Sequence, residues 1–106
     1  MRSTVVVRYT LRPEAMAEHV RLIEAVMAQL RRERLTNLDY QVLRLADGVT
    51  FLHVSTSDTP DGTSPLGGLS AFRDFQADLA SRVATPPEPT SADQIGHYAG
   101  LSAPPA

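Results

Sequence analysis

The stretch LDYQVLRLADGVTFLHVST, residues 38–56, decides the fold. Leu38 to Leu45 alternates in side-chain character, Asp47-Gly48 is a hairpin turn signal, and Val49 to Thr56 is a second strand-like run. Two strands joined this tightly run antiparallel. Phe51, His53 and Ser55 then share one face, and Leu52, Val54 and Thr56 share the other.

Working outward, Thr4 to Leu11 is rich in β-branched residues and predicts a strand, with Val5, Val7, Tyr9 and Leu11 on one face and Val6, Arg8 and Thr10 on the other. Pro13 and Glu14 open a helix whose stripe is Met16, Val20, Ile23, Met27 and Leu30. Arginines at 31, 32 and 34 gather at its negative end. On the other side, Asp58 to Gly68 is a polar connection with prolines at 60 and 65 and glycines at 62, 67 and 68. A second helix is predicted over Leu69 to Val83, capped by Ser70 or Gly68, with Leu69, Phe72, Phe75 or Gln76, Leu79 and Val83 inward. Thr85-Pro86-Pro87-Glu88-Pro89 reads as a surface run, Gln94 to Leu101 as the last strand, and 102–106 as a flexible tail.

The order β-α-β-β-α-β predicts an α+β, ferredoxin-like domain over 1–101, with a four-stranded antiparallel sheet and both helices on one face. Val6, Leu52 and Val54 make the other face too apolar for free solvation. A homodimer joined through these sheet faces, a dimeric α/β barrel, is expected.

Composition removes several chemistries. At 106 residues the chain suits one domain. It has no cysteine, hence no disulfide, thiolate metal site or thiol nucleophile, and no tryptophan. All ten basic residues are arginine, which excludes Schiff-base lysines and the P-loop lysine. A net charge of −2 gives no general attraction to nucleic acid or anionic lipid. No wholly apolar run exceeds four residues, and Met1-Arg2-Ser3 is not followed by a signal-like apolar stretch. A cytoplasmic protein with no membrane or nucleic-acid partner is expected.

Other domains of this element order fit poorly. Phe51 is the only aromatic residue on the third strand and lacks an RNA-recognition signature. Arg12-Pro13-Glu14 offers no phosphate cradle of the acylphosphatase kind, and Leu11-Arg12-Pro13 lacks the glycine usual in amino-acid-binding regulatory domains. By contrast, the Pro-Glu helix start, Leu38 to Arg44 followed by Asp47-Gly48 and Thr50-Phe51, and Ser70-Ala71-Phe72-Arg73-Asp74-Phe75-Gln76 together resemble the antibiotic biosynthesis monooxygenase-like family of dimeric α/β barrels. Asp47 to Val54, with Pro65-Leu66 and Arg82, resembles its small actinobacterial members. The resemblance spans Val5 to Tyr98. It implies homodimers that bind flat or polycyclic molecules between sheet and helices, some oxidising phenols or quinols with O₂ and no metal or flavin.

The chain also departs from that family. Where the monooxygenase branch can carry asparagine and, four residues later, tryptophan, His53 and Ser57 stand here. Leu66 occupies the place of a histidine six residues before Phe72, and the haem-degrading branch needs a tryptophan that is absent. The resemblance therefore implies a cofactor-free protein that binds or oxidises a small aromatic or quinol-type molecule. The alternative is a non-catalytic dimeric binding or interaction module of the same fold.

His53 is the candidate catalytic residue, placed mid-strand to donate to or deprotonate a phenolic ligand. His19, Tyr9 and Phe72 are candidate ligand-binding residues, with Tyr40 a further hydroxyl. Histidines at 19, 53 and 97 have no metal-ligand spacing, so no metal is expected. His97 is expected at the surface. Arg8 needs a partner, from an acidic residue across the dimer or a ligand carboxylate. Residues 58–68 are expected to form a mobile lid over a pocket containing His53, with Ser64 or Thr63 reaching the ligand.

Overall fold

Every strand pairing in the structure is antiparallel, and the first strand, central in the sheet, meets its neighbours on both sides. The structure is a computed structural model that describes residues 1–101; the expected tail at 102–106 lies outside the described residues. The elements are β1 (Arg2–Leu11), α1 (Met16–Glu33), β2 (Leu38–Arg44), β3 (Thr50–Asp58), α2 (Ser70–Ala77), α3 (Leu79–Arg82) and β4 (Val83–Ala92). The sheet order is β2-β3-β1-β4. This is the ferredoxin-like α+β arrangement.

The hairpin closes as its sequence requires. Gly48 takes φ +80, which a side chain would resist, and its N–H donates to Leu45. The Asp47 carboxylate accepts the N–H groups of Val49 and Thr50 and the Thr50 hydroxyl, which together hold its pKa below the usual carboxylate value.

Pairing of Tyr9 with Phe51 and of Val7 with His53 places these four side chains on one face, towards the helices. Tyr9, Leu11, Phe51 and Val83 form one buried cluster; Val26, Leu66, Leu69 and Phe75 form another beneath α2. On the opposite face Val6 stands across from Val54, and Thr4 across from Thr56 with their hydroxyls 2.9 Å apart. Arg8 stands opposite Glu88 of the same chain.

Three expectations are corrected. The last strand is Val83–Ala92, not residues 94–101, and it contains the proline-rich run. Proline has no N–H to give a ladder, yet β4 lies at the sheet edge, where one side needs none. Register shifts between Arg8 and Leu11 of β1 absorb the extra residues, leaving Pro86 and Pro87 bulged between the pairs of Glu88 and Thr85. The second helix breaks at Asp78 (φ −118), which separates α2 from α3. Its N-terminus is capped by neither Ser70 nor Gly68. The side chain of Gln29, reaching over from α1, accepts the Ala71 N–H at 2.8 Å.

Helix α1 also turns a different line inward. His19, Val26 and Gln29 are its buried residues, while Met16, Val20, Ile23, Met27 and Leu30 are only partly buried. Two polar side chains occupy the deepest line because each finds partners there.

Candidate functional site

The inward faces of β1, β2 and β3 and the inner line of α1 bring four ring side chains together. The Tyr40 hydroxyl lies 2.7 Å from His53 Nδ1, and His53 Nε2 lies 2.7 Å from the Tyr9 hydroxyl. The same Tyr9 hydroxyl lies 2.5 Å from His19 Nε2. Arg82, at the end of α3, donates from Nε to His19 Nδ1 at 3.1 Å and from its guanidinium to the Phe75 carbonyl at 2.5 Å. Side chains from five elements thus form one continuous hydrogen-bonded chain across the core.

Its surroundings are apolar and aromatic. Phe75 packs 5.1 Å from His19 and 5.5 Å from His53, ring centre to ring centre, and the Arg82 guanidinium lies 5.3 Å from the same ring. Tyr9 stacks on Phe51 at 5.6 Å. His19 is 0 % exposed. Burial, reinforced by the charge of Arg82, pulls the His19 pKa down to about 4. Burial, reinforced by His19, does the same to His53, to about 4. Both imidazoles are neutral near pH 7. Burial pushes the Tyr40 phenol up, and burial with Tyr40 nearby raises Tyr9, against the opposing pull of Arg82.

A hollow of about 780 Å³ lies towards the β2 edge of the sheet. Met27, Leu30, Leu35 and Leu38 supply apolar wall; Arg31, Arg34, Asp39, Gln41 and His97 supply polar wall. Residues of the segment 94–101 also line it. Arg34 closes α1 in the left-handed conformation (φ 53), its N–H returned to the Leu30 carbonyl. Tyr40 is the one member of the buried chain that also lines this hollow.

The candidates fall into place as follows. His53, Tyr9 and His19 meet in one constellation, but inside the core and not on the wall of the large hollow. Phe72 stacks on Phe75 at 6.0 Å and is core wall. His97 is exposed and lines the hollow. Among the described residues no group of histidines and carboxylates is placed to hold a metal, and no helix is long and apolar enough to cross a membrane.

Residues 58–68 do not line the hollow. They are pinned: Asp61 accepts from Thr63, Thr59 donates to the Thr63 carbonyl, Ser64 accepts from Leu66, and Leu66 is buried in the core. Neither Ser64 nor Thr63 is presented to that space. Arg82 is the member of the chain that residue-by-residue reading missed as a site residue. It entered the sequence analysis only through the family resemblance, beside an apolar stripe that ends at Val83.

No family model matches the sequence, and no curated protein matches it. Solved structures do. Rv0793 from Mycobacterium tuberculosis superposes with a TM-score of 0.74 at 17% identity, over 93% of this chain and 100% of that one. A Caulobacter crescentus protein, provisionally described as an antibiotic biosynthesis monooxygenase, gives 0.73 at 19% identity over 90% and 91%. A Nitrosomonas europaea protein with the same provisional description gives 0.73 at 14% over 89% and 90%. These identities speak for architecture alone. The chain has the ferredoxin-like fold found in antibiotic biosynthesis monooxygenase-like structures.

Proposed function

We propose that the protein binds a small aromatic molecule of the phenol or quinol class in the hollow beside β2, with Tyr40 as the ligand's point of contact with the buried chain. The observation that carries this reading is that Tyr40 belongs both to the hydrogen-bonded chain and to the lining of the hollow. Met27, Leu30, Leu35 and Leu38 suit a flat ring, and Arg31 and Arg34 suit an oxygen bearing negative charge. In the oxidising version, a bound phenolate gives one electron to O₂, leaving a ligand radical and superoxide that recombine. The monooxygenase description of the structural neighbours supports that version. His53 would act through Tyr40 as a positioning residue.

A second reading, binding without catalysis, is favoured by one observation. Both ring nitrogens of His53 are already engaged, and its pKa of about 4 makes it a weak base at neutral pH. Under either reading the protein is proposed to be cytoplasmic and to pair through the sheet face bearing Val6, Leu52 and Val54, with Leu43 exposed beside them, so that the partner copy borders the hollow, which Val54 also lines.

Calorimetry and oxygen uptake with a panel of hydroquinones and naphthols test both. Binding with uptake that falls in Tyr40→Phe supports the oxidase version. Binding without uptake supports the second reading. Neither binding nor uptake defeats both.

A further inference from the structure

The chain of hydrogen bonds has a direction, and one residue sets it. An arginine guanidinium only donates, so His19 Nδ1, which receives the Arg82 Nε–H, must be a lone-pair nitrogen. The single hydrogen of neutral His19 then sits on Nε2 and points at the Tyr9 oxygen. Tyr9 is buried, and among the described residues its hydroxyl hydrogen has one remaining acceptor, His53 Nε2. Were His53 to carry its hydrogen there instead, Tyr9 would receive two donors and hold an unpaired hydrogen in the core, which folded proteins avoid. The His53 hydrogen therefore sits on Nδ1 and is given to Tyr40. The Tyr40 hydrogen, with no protein acceptor among the described residues, is left over on the one residue of the chain that lines the hollow.

Resting on the binding reading above, we infer that Arg82 polarises the chain so that Tyr40 offers a hydrogen to the ligand, and that the site selects the ionised form of a phenol over the neutral form. A phenolate oxygen can only accept, and this donor is itself strengthened by the donors behind it. Among the charged lining residues, Arg31 and Arg34 outweigh Asp39, which favours the same ligand charge. The groups facing the chain from other elements are His19 on α1, Tyr9 on β1, His53 on β3 and Arg82 on α3, and none carries negative charge near neutral pH. The polarity has a further consequence. A ligand proton cannot be relayed inward to the far end of this chain, because Arg82 accepts none.

Two measurements test the inference. Nitrogen-15 NMR of the imidazole rings at pH 7.5 reads the tautomers directly. The expected result is His19 as the Nε2–H form and His53 as the Nδ1–H form, the one less common in water. His53 found as Nε2–H overturns the direction while leaving the binding reading standing. Separately, 4-nitrophenol, whose neutral and ionised forms absorb differently, is titrated with and without saturating protein. Preference for the anion by about tenfold lowers the apparent pKa of the bound probe by about one unit. Tyr40→Phe is expected to bring the preference near unity. Equal affinity for both forms in the wild-type protein, or a preference unchanged in Tyr40→Phe, overturns the selectivity. No binding of either form defeats the reading on which it rests.

Discussion

Arg82 Nε lies 3.1 Å from His19 Nδ1, a contact between two buried side chains sixty-three positions apart in sequence. It ties the short α3 to the first turn of α1. The same guanidinium holds the Phe75 carbonyl, so Arg82→Met leaves two buried acceptors without donors. A loss of about 2–4 kcal/mol in urea unfolding is expected. Arg82→Lys is expected to recover only part of it, since an ammonium cannot reproduce the planar fork. Full stability in Arg82→Met would contradict this role.

Tyr9 and Tyr40 differ in what they leave behind when shortened. Tyr9→Phe removes the link between two buried imidazoles and is expected to cost about 2–4 kcal/mol. Tyr40→Phe breaks one bond at a half-buried position, for about 1 kcal/mol. Denaturant midpoints at matched m-values check the order. Equal losses would show that Tyr9 is not the hub of the chain.

Acid should weaken the fold earlier than carboxylate titration alone predicts. His19 and His53 have folded pKa values of about 4, against an ordinary histidine value of 6.5. Between these limits the unfolded chain binds more protons, so stability is fully present above pH 6.5 and declines as pH falls towards 4. Each histidine contributes a slope of up to about 1.4 kcal/mol per pH unit. Unfolding free energies measured from pH 8 to pH 4 check this. A flat profile above pH 5 would contradict it.

Gln29 supplies the acceptor for the Ala71 N–H while its amide nitrogen donates to Glu33 at 2.5 Å. Gln29→Ala uncaps α2 from a distance and is expected to cost about 1–2 kcal/mol. Hydrogen exchange should accelerate through 70–77 more than through α1. Uniform acceleration over both helices would mean that the side chain acts by packing alone.

The pairing of copies is tested on the outer face. Val6→Arg places a charge beside Val54 at the centre of the sheet. Light scattering is expected to change from dimer to monomer, with the far-ultraviolet dichroism retained. A wild-type monomer at micromolar concentration would defeat the dimer proposal outright.

Sequence reading succeeded where period and turn chemistry coincide. Residues 38–56 carry both, and the split of β1 into a Tyr9 face and an Arg8 face follows from alternation alone. It failed at β4, because Pro86, Pro87 and Pro89 suppress every strand signal and their tolerance depends on an edge position that only the sheet order reveals. For α1, hydrophobic spacing pointed to Met27 and Leu30, whereas His19 and Gln29 go deeper because tertiary partners satisfy them. The members of the hydrogen-bonded cluster were legible as residue types, apart from Arg82. Bringing Tyr40 to His53 needs the β2–β3 register, and bringing Arg82 to His19 needs the break at Asp78.

The prolines of β4 have a consequence for crowded solutions. An exposed sheet margin normally offers a row of backbone donors and acceptors on which a neighbouring molecule can lay another strand. Here that margin lacks N–H groups at 86, 87 and 89 and is kinked by bulges. Strand-by-strand growth into a shared sheet is blocked along this side. Copies of the chain that meet along this margin must do so by side chains, and can part again without breaking any ladder.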